Sequence, residues 1–453
     1  MVDSTTLHRR RHAWPSPAVV LGLTLATSKG FGLRPSQTRP SAPPEQRHTL
    51  VESTIWRSSP GEQTAAGECV VSAEAVVRSV TDVAGCNRAQ NLGHMKHFID
   101  TQDFSRAELE DLLGLIALLK EADYEDAVPP LLHNRSLGMI FEEPSTRTRV
   151  SFEVGMSKLG GHALYLKPGE IHLGQRESLF DTAKVLSRMC DVIEARTLKH
   201  ETVLELARDA EVPVINGLTD FNHPTQAVCD LLTMREHLPT GRTLEDCTVV
   251  FVGDRTNVCS SLMFIATQFG MRFIHAAPAA YQAPAEWLAE ARANGAISGG
   301  SVSVTSEVEQ AVSEADFIYT DLWWWVDQEA EIPARRAAFM PRYQVNAALI
   351  ARAPAHARFM HCLPASRGVE VTDEVIDGPR SIVFDQAENR LHTEKGILAW
   401  LTCPTIKHSS PERHRLHEER IGDYLSQRGW DSTSPAPGAE HLPTGEVLGG
   451  TRR

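Results

Sequence analysis

From residue 95 onward the chain alternates short apolar runs with amphipathic stretches, and that alternation restricts the fold more than any other feature. "SLGMIF", "ALYL", "DVIEAR" and "VPVIN" are four to six residues long, and the segments between them carry leucine and valine at helical spacing. A strand joined to the next through a helix pairs with it in parallel, because a parallel neighbour needs a long crossover. After "PTGRTLEDC" the rhythm restarts with "TVVFVG", "SSLMFIATQFG", "RFIHAA", "APAEWLAEARANG", "SVSV", "EVEQAVSEA" and "DFIYT". The expectation is an α/β protein of two doubly wound domains, each with a mainly parallel sheet, joined by interdomain helices. The domains are expected at 95–240 and 241–385, with the division near Pro239 to Cys247. A helix at 386–403 is expected to return to the first domain.

Several local signals fix individual elements. Ser105 and Glu108 have capping-box spacing before "ELEDLLGLIALLKEA", so a helix starts there. Gly160 and Gly161 stop the helix that follows "STRTR". Of "SIVFDQAENRLHTEKGILAWL" the last part reads as a helix, and "PERHRLHEERIGDYLSQRG" in the 404–453 tail could form one more before a disordered end.

Residues 1–94 lack this order. "HRRRHAWPSPAVVLGLTLATS" imitates a targeting sequence, but its apolar run is broken by Gly22 and Thr24 and is far too short to span a bilayer. The segment is read as a disordered or upstream extension, with Met95 as the natural start.

Composition narrows the partners. Lys and Arg total 45 against 58 Asp and Glu, a net charge of -13, which argues against nucleic acid and anionic membrane. The eight cysteines have no CxxC pair and no metal-ligand spacing with histidine, so reduced cytoplasmic thiols and no metal are expected. Neither G-x-G-x-x-G nor G-x-x-x-x-G-K-[ST] occurs, which weakens dehydrogenase and P-loop readings.

The chemistry starts at "FEEPSTRTRVSFEVG". A helix N-terminus presents unpaired N–H groups and a partial positive charge, the hydroxyls of Ser145, Thr146 and Thr148 add donors, and Arg147 adds a planar fork suited to phosphate. An ordinary N-cap with a solvated arginine accounts for the same pentapeptide. Arg149, two positions on, faces elsewhere. In "NHPTQ", Pro224 suits the first helical position, His223 could donate to a carbonyl oxygen and Gln226 could accept from an amide. Arg196 ends a strand candidate at the cleft, where its alternative is a salt bridge with Glu194 or Glu201. Cys362 and Leu363 follow a short apolar run, and Arg390 sits near the start of the last helix.

Taken together, "STRTR", "HPTQ" and "HCLPA" resemble the aspartate/ornithine carbamoyltransferase (transcarbamylase) family over residues 95 to about 401. The resemblance implies transfer of a carbamoyl group between carbamoyl phosphate and a small amine, no cofactor, and a homotrimer with sites shared between subunits. It makes 95–240 the carbamoyl-phosphate domain and 241–385 the amine domain. It places Ser145, Thr146, Arg147 and Thr148 on the phosphate. Arg196, His223 and Arg390 fall near the carbonyl oxygen, Gln226 near the carbamoyl amide, and Cys362 with Leu363 near both substrates. His172 stands where the family commonly has glutamine, at a residue that reaches a neighbouring subunit's site.

The amine is set by "YTDLWWWVDQEAE". Ornithine enzymes usually have a Ser-Met pair here, and Trp325 and Val326 occupy those positions. "YQVN", "FMHCLPASRGVEVTDEVIDG" and "FDQAENRL" resemble the putrescine-using branch. The expected amine site is Asn257, Asp321, Trp325, Val326 and the "HCLP" residues His361, Cys362, Leu363 and Pro364. Trp323 or Trp325 could stack on a diamine's ammonium, and Asp321 and Asp327 could supply counter-charge. Asn257 matches an ornithine enzyme's asparagine and keeps ornithine as the second choice. Another ω-amino compound is the third choice, and a catalytically silent relative is the alternative of a different class, disfavoured because Arg147, His223 and Gln226 are all retained.

Overall fold

The computed structural model describes residues 96–171, 173, 176–325 and 328–405, with residues 415–417, 419–421 and 423 beyond them. The expectations for residues 1–94, His172, Val326 and Asp327 lie outside the described residues, as does most of the tail. The tail residues that are described are helical.

The first sheet contains β1 (Ser136–Phe141), β2 (His162–Leu166), β3 (Val192–Arg196) and β4 (Val214–Leu218), in the order β2-β1-β3-β4 with every pair parallel. The helices are α1 (Arg106–Tyr124) before it, α2 (Thr146–Lys158) and α3 (Leu179–Met189) between strands, and then α4 (His200–Asp209) and α5 (Pro224–Glu236). The second sheet contains β5 (Thr248–Val252), β6 (Arg272–Ala276), β7 (Ser301–Thr305), β8 (Phe317–Tyr319) and β9 (Arg358–Met360), in the order β7-β6-β5-β8-β9, again all parallel. Its helices include α6 (Asn257–Gln268), α7 (Ala285–Ser298), α8 (Val308–Val312) and α9 (Ile332–Phe339), and the long α10 (Val383–Thr402) closes the fold. This is the α/β architecture the alternation predicts, with both sheets parallel. Among the described residues no helix is long and apolar enough to cross a membrane.

The two faces of each strand explain the packing. In the first sheet Ile140, Ile193, Ala195 and Val214 pack with Ala183, Val203 and Leu206 of α3 and α4. Alternate residues Leu137, Met139, Phe141, Val192 and Ile215 join a second core that also takes Val249, Phe251, Phe273, Phe317 and Tyr319 of the other sheet. One apolar core therefore runs from the inner face of the first sheet to that of the second, with α5 and α6 between them. Helix α10 packs on α1, α2 and α5, so it carries residues from the second half of the chain back to the first sheet.

The strand orders matter for function. In each sheet the strand order reverses once, between β1 and β3 in the first and between β5 and β8 in the second, and a crevice opens at the carboxyl ends of the strands there. The "STRTR" loop follows β1, and Asp321 follows β8 by two residues.

Candidate active site

Register brings the first group of residues together. Phe141 at the end of β1 is paired with Arg196 at the end of β3, and Arg196 with Leu218 at the end of β4, across a bulge between Ala195 and Arg196. Three neighbouring strand ends thus deliver the cradle, Arg196 and the loop that leads to His223. Ser145 is the N-cap of α2, its hydroxyl accepting from the Thr148 amide at 3.4 Å. The amides of Thr146 and Arg147, in the first turn, have no intrahelical acceptor. Thr148 is buried, Ser145 and Arg147 are half-buried and Thr146 is exposed. Arg149 points away, as expected: it pairs with Glu153 at 3.1 Å and lies 4.1 Å from the Tyr165 ring centroid.

His223 is the N-cap of α5, with Pro224 at the first helical position, but its side chain makes no capping bond. It is held by its backbone instead, the amide donating to Ser261 Oγ at 2.8 Å. Asn257 Nδ2 donates to the Thr219 carbonyl at 2.5 Å and Ser260 Oγ to the Phe221 carbonyl at 2.7 Å. The 219–223 loop is therefore docked on α6, which ties the two sheets' crevices into one.

Arg390 reaches the same place from α10. Its Nη1 lies 3.0 Å from His223 Nε2 and donates to Gln226 Oε1 at 2.6 Å, while Nε donates to Glu394 Oε1 at 3.2 Å. Gln226 Nε2 donates in turn to Asp230 at 2.8 Å, and Gln386 Nε2 to Asp230 at 2.6 Å and to Tyr319 Oη at 3.0 Å. Gln386 Oε1 accepts from the His361 amide at 3.0 Å. This buried chain runs from the arginines to the "HCLPA" turn.

The electrostatics are those of an anion site. Among the described residues Arg390 alone of the three arginines has an ion-pair partner, Glu394. Burial lowers the pKa of Arg147 and pushes that of Arg196 down to about 10, with repulsion among the three guanidinium groups adding to it. All three stay charged at neutral pH. Burial, then Arg390, Arg196 and Arg147, hold His223 well below the ordinary histidine range, so its ring is neutral. Burial raises Asp230 to about 7. A pocket with three cations and one compensating carboxylate favours a multiply charged anion.

On the amine side, Asp321 is buried, and its Oδ1 accepts from the Leu322 amide at 2.8 Å and from the Cys362 thiol at 3.2 Å. Burial, and then the neighbouring Asp321 carboxylate, push the Cys362 thiol well above its ordinary pKa. It is a thiol donor and not a thiolate nucleophile. Leu363 adopts a left-handed φ of 58°, and its amide donates to His361 Nδ1 at 2.8 Å. Strain of this kind persists where surrounding contacts impose it, often at functional sites. His361 itself has 0 % exposure, and its Nε2 faces Glu370 at 3.5 Å. Nδ1 thus serves the turn, while Nε2 faces the Glu370 carboxylate without a hydrogen bond. Asp321, His361 and Cys362 place their ligand-type atoms within 4.8 Å of one another. The hydrogen bonds above already employ the carboxylate, thiol and Nδ1. Pro364 is exposed.

One expectation is corrected here. Trp323 does not offer its ring to a diamine's ammonium: it is 1 % exposed and stacks on Phe339 of α9, ring centroids 5.0 Å apart. Its backbone carbonyl accepts from Arg335 Nη1 at 2.8 Å. Trp325 is half-buried, its amide donating to Gln328 Oε1 at 3.1 Å. Sequence reasoning named Glu194 only as a salt-bridge alternative for Arg196 and passed over Asp230, Gln386 and Glu394. A glutamate inside the apolar run "DVIEAR" and a glutamate four residues after Arg390 were the available signals.

Fold and site together define a two-sheet group-transfer enzyme with an anion cradle at one switch point and a carboxylate and thiol at the other. Residues 96–236 match the carbamoyl-P binding domain of aspartate/ornithine carbamoyltransferases, and residues 245–401 match their Asp/Orn binding domain. The putrescine carbamoyltransferase of Mycoplasma capricolum is 58 % identical over 349 residues, covering 75 % of this chain and 95 % of that protein. The ornithine carbamoyltransferase of Methanopyrus kandleri is 46 % identical over 306 residues, 67 % of this chain and 96 % of that one. Among solved structures, ornithine carbamoyltransferase from Pyrococcus furiosus superposes with a TM-score of 0.66 at 46 % identity, covering 69 % of this chain and 98 % of that chain. The chain belongs to the aspartate/ornithine carbamoyltransferase family.

Proposed function

We propose that the protein transfers a carbamoyl group between carbamoyl phosphate and a primary amine, with putrescine or a similar diamine as the amine. The observation that carries the transfer is the meeting of Arg147, Arg196 and Arg390 around a neutral His223, with one of the three cations ion-paired. In this reading residues 95–240 hold carbamoyl phosphate and residues 241–385 hold the amine. Ser145, Thr146, Arg147 and Thr148 bind the phosphate, Arg196, His223 and Arg390 face the carbonyl oxygen, and Gln226 orients the carbamoyl amide.

The amine nitrogen attacks the carbonyl carbon, negative charge builds on the carbonyl oxygen, and phosphate leaves. Fixed donors facing that oxygen are worth a few kcal/mol each. An alkylamine has a pKa near 10, so about one molecule in a thousand is neutral at pH 7. The proton it loses is taken by the departing phosphate, the strongest base the reaction itself supplies.

Two observations support a diamine. The loop at 321–327 has Trp325 and Val326 where ornithine enzymes keep a Ser-Met pair, and the relatives at 58 % identity are putrescine carbamoyltransferases. Asp321 then offers a carboxylate to the ammonium and Trp325 its ring face. The same chemistry runs backwards as phosphorolysis of carbamoylputrescine. A homotrimer in the cytoplasm, with His172 reaching a neighbouring site, completes the reading. The test incubates purified protein with carbamoyl phosphate and putrescine, ornithine, agmatine or acetylornithine separately and measures the ureido product. Product with ornithine alone overturns the amine and keeps the reaction class.

A further inference from the structure

Two carboxyl groups lie behind the arginines and take no part in the steps above. Glu194 is in β3, two residues before Arg196, with 0 % exposure and no hydrogen-bond partner for either carboxyl oxygen. Its side chain passes over β4 where that strand is bulged. A Cβ at Gly217 would fall 1.7 Å from Glu194 Oε1, so only glycine at 217 lets this carboxyl lie there. Glu394 comes from α10, one turn beyond Arg390, and is equally buried. Its Oε1 accepts from Nε and Nη2 of Arg390, and its Oε2 has no partner.

The two carboxyls differ in what opposes their charge. Arg390 holds Glu394 directly, whereas Glu194 has no donor in reach. Around them stand Arg196 on β3, Ser151 on α2 and, acting on Arg390, Cys229 and Asp230 of α5. Burial pushes Glu394 up to about 7 against the pull of Arg390. Glu194 is raised well above the ordinary glutamate range, by burial first and then by the Glu394 charge. Buried carboxyls that share a site do not both ionise, and the one without a donor keeps the proton.

We propose that Glu194 and Glu394 are a one-proton carboxyl pair, Glu194 protonated and Glu394 charged, whose role is to position Arg390 on His223 and Gln226. The inference rests on the carbamoyl-transfer reading. Neither residue touches substrate; both are positioning residues. One negative charge in the pair leaves the three guanidinium groups a net charge of about two with which to receive a phosphate dianion. A second charge would cancel half of that.

Infrared spectra of the full-length protein with isotope-labelled glutamate test the proton. At pH 8 the wild-type protein shows the carbonyl stretch of a buried protonated carboxylic acid, Glu194→Gln removes it, and Glu394→Gln keeps it. Kinetics test the positioning. Glu394→Gln lowers kcat/KM for carbamoyl phosphate by about tenfold or more, the worth of a charge-assisted hydrogen bond, and moves the acid limb of the pH profile. An active protein without the band, or one whose band survives Glu194→Gln, overturns the pair and leaves the proposed reaction standing. Wild-type kcat/KM in Glu394→Gln overturns the positioning role. Absence of carbamoyl transfer with the band behaving as stated overturns the reaction and supports the proton assignment.

Discussion

Arg390 places Nη1 3.0 Å from Nε2 of His223, and because a guanidinium can only donate, that ring nitrogen accepts. The imidazole is therefore neutral with its proton on Nδ1, which lies 3.4 Å from Thr225 Oγ1. A histidine that arginines hold neutral can orient and polarise at physiological pH without titrating.

That neutrality has a cost in acid. His223 and the fully buried His275 both have folded-state pKa values depressed by burial, His275 to about 4. Above about pH 6.5 neither state binds the proton and stability is unaffected. As pH falls below 6.5 the unfolded chain takes up protons that the folded state refuses, so stability falls, for His275 down to about pH 4. Between about pH 7.5 and 5 His275 contributes a loss of about 2 kcal/mol. Thermal unfolding at the two pH values should show that His275→Gln loses less than the wild-type protein by about this amount. An equal loss in both would mean that the buried ring takes up its proton as readily as it does in the unfolded chain.

Arg147→Ala should separate activity from stability. The guanidinium has no ion-pair partner among the described residues, and Arg390 repels it. Its removal should leave the unfolding free energy within about 1 kcal/mol of wild type. Turnover should fall by about a hundredfold to a thousandfold or more, as for loss of a preorganised charge-stabilising donor. Circular dichroism melts beside the ureido assay measure both. Surviving turnover would mean that the phosphate sits elsewhere.

How far the sequence carried these readings differs from element to element. "SLGMIF" reads directly as β1, because a short apolar run between a turn and an N-cap has few alternatives, and the Ser105–Glu108 box marks the start of α1 for an equally local reason. The cradle was legible because a helix N-terminus and its hydroxyls are contiguous in the chain. The last helix was expected from residue 386, and α10 begins one turn earlier, at Val383. Apolar residues buried against a sheet look alike in a strand and in a first helical turn. The contact of Arg390 with His223 spans 167 positions and depends on α10 returning to the first sheet, a tertiary fact that no local pattern encodes. Glu194 broke the apolar run of its strand, yet its meaning depends on Gly217 and Glu394, which lie far from it in sequence.

The two tryptophans on either side of Trp324 should behave oppositely when truncated. Trp323 fills the core against Phe339, so Trp323→Ala should destabilise the fold by about 3–5 kcal/mol. Trp325 is half-buried in the amine loop, and if its ring faces the diamine's ammonium, Trp325→Ala should lower kcat/KM for putrescine by about threefold to thirtyfold with little change in melting temperature. Denaturant titrations and amine-dependent kinetics on both variants check this. Equal effects on stability would place Trp325 in the core beside its neighbour.

Cys362 offers the last discrimination, between a donor and a nucleophile. Its thiol donates to Asp321 at 3.2 Å, and burial together with that carboxylate keeps it protonated. Serine preserves a donor of similar reach, so Cys362→Ser should keep turnover within about tenfold of wild type, the range expected when one hydrogen bond is weakened. A covalent carbamoyl-thiol route would instead lose most of its rate on that substitution, and would leave the enzyme trapped by thiol reagents in proportion to thiolate content. Because the thiol is protonated across neutral pH, alkylation of Cys362 by iodoacetamide should be slow and should accelerate only well above pH 9. Rapid alkylation at pH 7 would show that the carboxylate beside it fails to hold the proton, and would reopen the nucleophilic role.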